Sequence, residues 1–325
     1  MKTLLVTGGC GFIGSNFIRR FLSTHPGWKV INLDKLTYSG NRENTRDLEH
    51  SPQYEFVQGD ICEEGLAHSL MPRVNGVIHF AAETHVDRSI ESPNDFLSTN
   101  IFGTWNLLEA ARRHRVPRFI QISTDEVYGS IASGSVSEEA PLAPNSPYAA
   151  SKAASDHMIR SARVTYDYSA MIIRSSNNFG PRQFPEKVIP LFITNLLENK
   201  KLPLYGKGVN RREWLFVEDN CAAIELVFDK GKDGEIYNVG CGNEMSNLEL
   251  ARMILKLIGG DEEKIEYVAD RPGHDLRYSI NTSKIERLGF RPQSNFREAL
   301  ERTVAWYREN QAWWKPLKRD KFTVK

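Results

Sequence analysis

A tyrosine and a lysine on one predicted helix are the clearest pair of reactive side chains in this sequence. In the run Tyr148-Ala149-Ala150-Ser151-Lys152, the two side chains lie one helical turn apart on the same face. A lysine ammonium beside a phenol favours the phenolate, which predicts a Tyr148 pKa lowered toward neutrality. We therefore expect Tyr148 to remove a proton from a substrate hydroxyl while hydride leaves the same carbon.

Two adjacent carboxylates, Asp125 and Glu126, precede this helix. They follow Thr124 and the apolar run 118–122, which predicts a buried strand ending where open α/β sheets build their sites. Two carboxyl groups this close push their pKa values apart, so that one acts as acid and the other as base. Oxidation needs only the tyrosine and a nicotinamide, whereas three proton-transfer groups favour oxidation followed by elimination. Exposed loop charges are the alternative interpretation of the carboxylates.

A glycine-rich turn near the start of the chain predicts a dinucleotide site. Gly8, Gly11 and Gly14 follow the first predicted strand and open the first predicted helix. Glycines there let the backbone approach a pyrophosphate at the positive end of the helix dipole. Asp34 ends the second strand about 20 residues later, where a carboxylate binds ribose hydroxyls and repels a 2′-phosphate. The pattern favours NAD over NADP, and a nucleotide-free α/β core is the alternative.

The ends of the next two predicted strands extend this cofactor site. Asp60 and Ile61 follow the third strand and are expected at the adenine. Ala81 and Ala82 follow the fourth strand and, with the segment up to Thr84, are expected along the middle of the cofactor.

Short apolar runs alternate with longer helical patterns over the first 175 or so residues, which predicts repeated βαβ units. The predicted strands are 4–7, 30–33, 54–58, 76–80, 119–122 and 170–174, and the predicted helices include 11–21, 95–113 and 147–166. We expect an α/β fold with a Rossmann-type doubly wound parallel sheet and a smaller mixed α/β C-terminal substrate domain. Residues 1–175 are expected to form the NAD-binding domain, with 213–240 returning to it, and 176–325 mainly the substrate domain.

The bulk composition indicates a soluble protein and excludes several function classes. The 325 residues carry a formal net charge of +1, which argues against nucleic acid or an anionic membrane as the main partner. No apolar run approaches the roughly 20 residues of a membrane helix, and the first one is too short for a signal peptide. The four cysteines form no Cys-x-x-Cys pair, so we expect no metal site, no disulfide framework and a cytoplasmic location.

Beyond these patterns, the chain resembles the extended short-chain dehydrogenase/reductase family, and within it the nucleotide-sugar 4,6-dehydratases. The resemblance runs nearly end to end, and its segments are 7–16, 81–89, 123–129, 176–181, 184–190, 212–214 and 271–275. The glycine turn and the Tyr-x-x-x-Lys pattern mark only the broad family. Thr124-Asp125-Glu126 is the specific part, because related 4-epimerases usually carry small residues there and GDP-mannose dehydratases keep the glutamate without the aspartate.

The resemblance implies conversion of dTDP-glucose into dTDP-4-keto-6-deoxyglucose and water, without net redox change. Tyr148 would remove the C4 hydroxyl proton as NAD takes the C4 hydride, and the hydride would later return to C6. Glu126 would remove the C5 proton, and Asp125 would protonate the departing C6 hydroxyl. Thr124 would bond the C4 oxygen, and Lys152 would hold the nicotinamide ribose and tune the tyrosine.

The resemblance also implies binding residues around this centre. The cofactor set is completed by Phe12, Ile13, Lys35, Thr37, Thr99 and Asn178, besides Tyr148 and Lys152. The substrate set is Thr84, Thr124, Asn177, Lys187, Val188, Pro203, Tyr205, Arg212, Asn247, Arg271 and His274. Arg212 and Arg271 are expected at the phosphates, where guanidinium groups fit, and Pro203 and Tyr205 beside the pyrimidine.

Several of these residues have a structural alternative. Ion pairing with Glu213 or Glu218 is the alternative for Arg212, and plain packing is the alternative for Tyr205. His79 lies inside an apolar strand and is expected to be a satisfied core residue, and His85 is expected to be a structural group near the site.

Other functions remain open at this point. A sugar-nucleotide 4-epimerase uses the same NAD and tyrosine without elimination, although the carboxylate pair argues against it. A 4,6-dehydratase for another nucleotide sugar, such as UDP-glucose, fits the same motifs. A nucleotide-sugar binding or regulatory protein is disfavoured by the intact catalytic set. The family also implies a homodimer joined through helices 95–113 and 147–166 in a four-helix bundle.

Overall fold

The structure, a computed structural model, describes residues 1–168 and 170–319. Its strands are β1 Lys2–Thr7, β2 Trp28–Asp34, β3 Tyr54–Gln58, β4 Gly76–His79, β5 Phe119–Thr124, β6 Met171–Ser175, β7 Asn177–Phe179, β8 Leu202–Tyr205, β9 Arg211–Phe216, β10 Ile236–Val239, β11 Glu244–Ser246 and β12 Ile265–Val268. Its α-helices are α1 Phe12–Thr24, α2 Glu64–Leu70, α3 Val86–Glu91, α4 Pro93–Phe96, α5 Thr104–Arg113, α6 Pro147–Tyr166, α7 Val188–Leu197, α8 Val217–Lys230, α9 Asn247–Ile258, α10 Ser283–Leu288, α11 Phe296–Glu309 and α12 Gln311–Arg319. A π-helical segment, Leu97–Gly103, joins α4 to α5, and 3-10 turns cover Arg42–Asn44, Arg46–Leu48, Met71–Arg73, Asp125–Tyr128 and Glu262–Lys264.

Seven parallel strands form the central sheet, in the order β10-β6-β5-β4-β1-β2-β3. Strands β1 to β6 follow the doubly wound arrangement. The strand order reverses between β1 and β4, and a crevice opens there at the carboxyl ends of the strands. The predicted Rossmann-type sheet is therefore confirmed. The seventh strand, β10, comes from the segment that was expected to return to this part of the molecule. The domain boundary at residue 175 stays a prediction.

Alternate residues of each strand pack into opposite cores, because side chains in a strand point to alternate faces. Leu4 and Val6 of β1 pack with α1 and α8, whereas Leu5 packs with α2, α5 and α6 on the other face. Phe119 of β5 is fully buried in this second core. Truncating such a ring to alanine would cost about 3–5 kcal/mol of the free energy of unfolding.

A smaller mixed unit lies over the carboxyl edge of the sheet, as expected. In it β9 pairs with β7 in parallel and with β11 antiparallel, while β8 and β12 form a separate parallel pair. Helices α7 and α9 pack against each other and against β8. Strands β7, β8 and β9 of this unit contribute residues that face the crevice of the central sheet.

Helix α6 covers the predicted range because its start is strongly encoded. Ser146 Oγ accepts the backbone N–H of Ala149 at 3.1 Å, and Pro147 occupies the first turn, where its missing N–H is harmless. The predicted helix 95–113 is continuous but contains the π-helical segment. Within that segment, Asn100 bonds both backbone groups of Glu83 and donates to Ser151 Oγ at 2.8 Å, which ties the loop after β4 to α6.

His79 is a satisfied core residue, as predicted. Its Nδ1 lies 2.6 Å from Thr7 Oγ1 and its Nε2 lies 3.0 Å from Thr104 Oγ1. Burial lowers the pKa of His79 to about 3, so the ring is neutral at physiological pH. In the described part of the chain, no helix is both long and apolar enough to cross a membrane, and no cluster of three metal-ligating side chains occurs.

Candidate active site

The turn between β1 and α1 has the shape of a phosphate cradle. Gly8 has a φ of +70°, and a Cβ there would lie 2.6 Å from the backbone nitrogen of Ala81. A Cβ at Gly14 would lie 2.5 Å from the Gly8 carbonyl oxygen. Only glycine fits either position, and the open backbone faces the N-terminus of α1, where a pyrophosphate is favoured. The residues present therefore fit a dinucleotide.

Asp34 is held rigidly at the end of β2. Its Oδ2 accepts the backbone N–H of Cys10 at 2.9 Å, and its Oδ1 accepts that of Leu36 at 2.8 Å. Burial raises the pKa of Asp34, and these two bonds oppose the rise by stabilising the carboxylate. Lys35 is drawn away to Asp60, with a separation of 2.6 Å. Asp34 forms no ion pair within the described part of the chain, and such a carboxylate suits free ribose hydroxyls and disfavours a 2′-phosphate.

The structure brings the whole predicted cofactor set to the wall of one cavity, here called the cofactor cavity. Its members are Gly8, Gly11, Phe12, Ile13, Gly14, Asp34, Lys35, Thr37, Asp60, Ile61, Ala81, Ala82, Thr99, Tyr148, Lys152 and Asn178. These residues come from the ends of several parallel strands, as expected for a site at the carboxyl edge of a doubly wound sheet.

The carboxylate pair lies on a tight turn that ends β5. Thr124 Oγ1 accepts the backbone N–H of Glu126 at 3.3 Å and so caps the 3-10 turn Asp125–Tyr128. Gly129 ends the turn with a φ of +72°. Neighbouring side chains on such a turn point in different directions, which allows the two carboxyl groups to have different surroundings.

A buried network anchors the far end of this turn. Arg174 Nη1 donates to the Tyr128 hydroxyl at 2.8 Å, and that hydroxyl donates to Asn238 Oδ1 at 2.8 Å. Arg174 Nε donates to Asp156 Oδ2 at 2.9 Å, which joins β6 to α6. Since removing a partner leaves buried polar groups unpaired, each member helps to fix the turn.

Tyr148 and Lys152 are both buried in α6, but their electrostatics differ from the sequence prediction. Lys152 Nζ donates to the carbonyl of Ile122 at 2.6 Å, and burial lowers the pKa of Lys152 to about 8. Burial also raises the pKa of Tyr148, and the charges of Glu126 and Asp125 raise it further. The predicted lowering of the Tyr148 pKa by Lys152 is therefore wrong here, because desolvation and the carboxylates dominate.

Asp125 lies behind the cavity wall rather than on it. Its side chain is fully buried, and Thr124 Oγ1 donates to its Oδ1 at 3.3 Å. Its Oδ2 has no hydrogen-bond partner among the described residues. Burial, then the charges of Glu126 and Glu213, hold the pKa of Asp125 well above its usual range. This environment favours a protonated carboxyl group.

Glu126 lines the cofactor cavity and is surrounded by cations. Burial raises its pKa, and the positive charges of Arg271, Arg212 and Lys187 oppose that rise. The cations favour the ionised form of Glu126, whereas neighbouring carboxylates disfavour it in Asp125. Burial raises both pKa values, but the cations around Glu126 oppose the rise there, so Asp125 is the more readily protonated of the two groups.

A second cavity, here called the substrate cavity, adjoins the first. The predicted substrate residues on its wall are Thr84, Asn177, Lys187, Val188, Pro203, Tyr205, Arg212, Asn247, Arg271 and His274, while Thr124 lies on the wall of the cofactor cavity. The residues shared by both walls are Thr84, Glu126, Asn177, Glu186 and Lys187. Glu126 therefore stands at the junction of the two cavities.

Arg212 is available to an anion in the substrate cavity. Its Nη2 donates to the carbonyl of Asp275 at 2.8 Å, and among the described residues it forms no ion pair. Glu218 instead pairs with Arg302 at 2.6 Å. The alternative ion pairs of Arg212, with Glu213 or Glu218, are therefore wrong.

The other end of the substrate cavity combines an aromatic ring with charged groups. Arg271 Nη1 lies 3.5 Å from Asp87 Oδ1, and the Tyr205 hydroxyl donates to Asp87 Oδ2 at 3.2 Å. The rings of Tyr205 and His274 lie 6.0 Å apart edge to face, and His274 Nδ1 lies 2.6 Å from Asp270 Oδ1. Asp87 was not predicted as a site residue, although it belongs to segment 81–89, which carries the family resemblance.

Two buried acids were also missed. Glu186 lines both cavities, and its Oε2 accepts Arg88 Nε at 3.2 Å while its Oε1 lacks a partner among the described residues. Glu213 on β9 accepts the backbone N–H of Gly242 at 2.8 Å. Each adjoins an assigned cation in the sequence, Glu186 beside Lys187 and Glu213 beside Arg212, which is the signal that could have identified them.

His85 lies on the wall of the substrate cavity and does not carry a charge. Burial, aided by the charge of Lys187, lowers the pKa of His85 to about 2. Its expected structural role stays a prediction.

Comparisons with known proteins agree over nearly the full chain. The family model described as GDP-mannose 4,6 dehydratase matches residues 5–303. A dTDP-glucose 4,6-dehydratase from Streptomyces niveus is 52% identical over 320 residues, covering 97% of this chain and 95% of that protein. The low-salt glycan biosynthesis protein Agl12 from Haloferax volcanii is 49% identical over 304 residues, covering 94% of this chain and 98% of that protein.

Solved structures show the same similarity. The dTDP-glucose 4,6-dehydratase DesIV from Streptomyces venezuelae, crystallised with NAD bound, has a TM-score of 0.95 and 52% identity, covering 97% of this chain and 99% of that one. A UDP-glucose 4-epimerase from Thermus thermophilus in complex with NAD has a TM-score of 0.87 and 30% identity, covering 95% and 99%.

Proposed function

The chain belongs to the GDP-mannose 4,6-dehydratase family, and from that premise we propose that it is an NAD-dependent dTDP-glucose 4,6-dehydratase. This hydro-lyase of deoxysugar biosynthesis forms dTDP-4-keto-6-deoxyglucose and water. The observation that carries the proposal is the turn after β5, where a cation-flanked Glu126 and a carboxylate-flanked Asp125 lie beside Tyr148.

The cofactor cavity supplies the redox half of the reaction. The glycine turn would hold the pyrophosphate, Asp34 the adenosine ribose, and Lys152 the nicotinamide ribose. Bound in this cavity, NAD would supply the hydride chemistry, with hydride taken from C4 of the sugar and returned at C6.

Tyr148 removes the C4 hydroxyl proton, and Thr124 bonds the C4 oxygen. Because burial keeps the phenol protonated in the cofactor-free site, ionisation of Tyr148 is favoured only after positive charge has entered the cavity. Tyr148 therefore removes the C4 hydroxyl proton only when the cofactor is bound.

Glu126 and Asp125 carry out the elimination. The C4 ketone acidifies the C5 proton, which Glu126 removes as base, with its carboxylate stabilised by the surrounding cations. Asp125 gives its proton to the C6 hydroxyl, which leaves as water. Its Oδ2 has no hydrogen-bond partner among the described residues, so no protein bond competes for that oxygen. As the hydride returns to C6, a proton goes back to C5, so the two adjacent groups act on neighbouring carbons.

The substrate cavity binds the nucleotide. Arg212 and Arg271 bind the diphosphate, with Lys187 and Asn177 at its sugar end. Four further predicted residues surround the pyrimidine: Pro203, Tyr205, Asn247 and His274.

A second copy of the chain is the proposed partner. Leu97 and Phe102, on the helical stretch before α5, are 44% and 69% exposed, and Val164 near the end of α6 is 70% exposed. Burying such side chains between paired helices of two subunits favours a homodimer with a four-helix bundle. We propose a cytoplasmic location, because the four free cysteines would stay reduced there.

Incubation with dTDP-glucose and NAD in deuterated water tests the proposed reaction. We expect a 4-keto-6-deoxy product with one deuterium at C5, detected by mass spectrometry and proton NMR. A galactose-configured product without C5 exchange would instead indicate an epimerase. Turnover of UDP-glucose but not dTDP-glucose would contradict the proposed base preference.

A further inference from the structure

The C-terminal helix α12 reaches the glycine turn through a short relay of hydrogen bonds. We propose that Trp313 of α12 is a positioning residue for the cofactor site, acting through Asn44 and Cys10. The inference rests on the proposed binding of NAD at the glycine turn. It gives the C-terminal helix a role in cofactor affinity although the helix does not line the cofactor cavity.

The relay consists of two bonds of ordinary length. Trp313 Nε1 donates to Asn44 Oδ1 at 2.9 Å, and Asn44 Nδ2 donates to the carbonyl of Cys10 at 2.9 Å. Asn44 is 1% exposed, so each of its amide atoms depends on these partners. The indole therefore fixes which way the Asn44 amide points, and the amide fixes the Cys10 carbonyl.

Cys10 transmits this constraint to the cofactor cavity. It lies between two glycines of the turn, and its carbonyl also accepts the backbone N–H of Asn41 at 3.0 Å. On its other side, its N–H donates to Asp34 Oδ2 at 2.9 Å. The peptide groups around Cys10 thus determine both the course of the cradle and the orientation of the ribose-binding carboxylate.

Trp313 is itself held firmly by aromatic packing. Its ring centroid lies 5.0 Å from that of Trp306 and 6.4 Å from that of Tyr307.

Helix α12 is also anchored at residues beyond Trp313. The adjacent Trp314 is fully buried and donates from Nε1 to the Tyr307 carbonyl at 2.7 Å. Lys318 ties the end of α12 to α7 through Asn195 Oδ1 at 2.8 Å. A donor on this rigid support loses little freedom when it binds Asn44.

Helix α11 reaches the cofactor cavity by a second route. The Tyr307 hydroxyl donates to the carbonyl of Gln183, and Gln183 Nε2 donates to the carbonyl of Asn178 at 2.9 Å. Gln183 and Asn178 both line the cofactor cavity. The C-terminal helices therefore support two separate parts of its wall.

The test is calorimetric titration of NAD into the full-length protein after removal of bound cofactor. Trp313→Phe keeps an aromatic ring and removes the Nε1–H donor, and we expect NAD to bind about three- to tenfold more weakly. The KM for dTDP-glucose at saturating NAD should stay unchanged. Trp28→Phe is the matched control, since Trp28 lies at the amino end of β2 and, among the described residues, its ring packs against Phe21 and Phe228 and not against Trp313.

A double-mutant cycle with Asn44→Ala tests the route itself. If the indole acts through Asn44, Trp313→Phe should weaken binding much less in the Asn44→Ala background. Thermal unfolding of the cofactor-free variants separates this effect from a general loss of stability. Unchanged NAD affinity in Trp313→Phe, or simple additivity of the two substitutions, would overturn the inference. Failure of the unaltered protein to bind NAD would overturn both this inference and the proposed function.

Discussion

Asp125 and Glu126 are neighbours in the chain but have different electrostatic surroundings. Asp125 is enclosed with Glu213 behind the cavity wall, whereas Glu126 faces Arg271, Arg212 and Lys187 at the junction of the cavities. Adjacent carboxyl groups can be found in a sequence, and so can their need for unlike protonation states. The surroundings of the two groups cannot be predicted from the sequence, because Arg271, Lys187 and Glu213 come from distant segments that the fold brings together.

Replacing Glu126 with glutamine should stop the elimination and leave the C4 step possible. We expect C5 deuterium incorporation to fall by at least about 100-fold, since a general base is lost. Reduced nicotinamide should then accumulate on the protein after substrate is added, which fluorescence would detect. Tyr148→Phe should prevent this accumulation. Glu139→Gln, the same change at an exposed position, is the control, and normal turnover of Glu126→Gln would refute the assigned base.

Lys152→Met should stabilise the cofactor-free protein while it abolishes activity. Because burial lowers the pKa of Lys152 from 10.5 to about 8, the folded state carries a charged group at a cost. We expect the free energy of unfolding at pH 7 to rise by about 1–2 kcal/mol in the variant.

The pH dependence gives this stability effect a clear sign. Between pH 8 and 10.5 the unfolded chain binds more protons at Lys152 than the folded one, so the unaltered protein gains stability as pH rises. The advantage of Lys152→Met should thus be greatest below pH 8 and shrink toward pH 10.5. Denaturant unfolding at several pH values would measure it, and an advantage independent of pH would contradict the account.

Among the helices and strands, a boundary predicted from the sequence agrees with the structure where a local residue pattern specifies it. Ser146 and Pro147 predict the start of α6, and its range is confirmed. The π-helical segment Leu97–Gly103 was not predicted, since a shifted backbone hydrogen bond leaves no periodicity of its own in so short a stretch. Asn100 within it, which holds the loop after β4, was missed for the same reason.

Tyr128→Phe tests the anchoring of the catalytic turn. The change leaves buried groups of Arg174 and Asn238 without their hydroxyl partner, so the free energy of unfolding should fall by about 1–3 kcal/mol. A displaced carboxylate pair should also lower kcat about tenfold with little change in KM. Tyr168→Phe loses a comparable bond to the Val116 carbonyl and should keep kcat. Equal kcat losses in both variants would contradict the positioning role.

At the scale of the whole molecule, the fold follows from the alternation of strands and helices along the first half of the chain. The doubly wound sheet and the smaller mixed unit are confirmed. The aromatic support formed by α11 and α12 was not predicted, because Trp313 and Asn44 are brought together only by the closed tertiary structure. Long-range polar contacts of this kind have no local pattern.

Phe102→Glu should break the proposed dimer. Phe102 is 69% exposed on the helical stretch 93–113, and a charge there would be costly to bury between two subunits. Light scattering should report a dimer for the unaltered protein and a monomer for the variant. Tyr267→Glu, at a 58% exposed position on β12, should leave the mass unchanged. A monomeric unaltered protein would refute the dimer.

The most direct test of the central claim follows one deuterium atom through the reaction. The substrate is dTDP-glucose labelled with deuterium at C4, incubated with the protein and NAD in ordinary water. If oxidation, elimination and hydride return occur in one closed site, the label should move from C4 to C6 of the 4-keto-6-deoxy product. A sugar product that keeps the label at C4, or one that has lost it to solvent, would contradict the account.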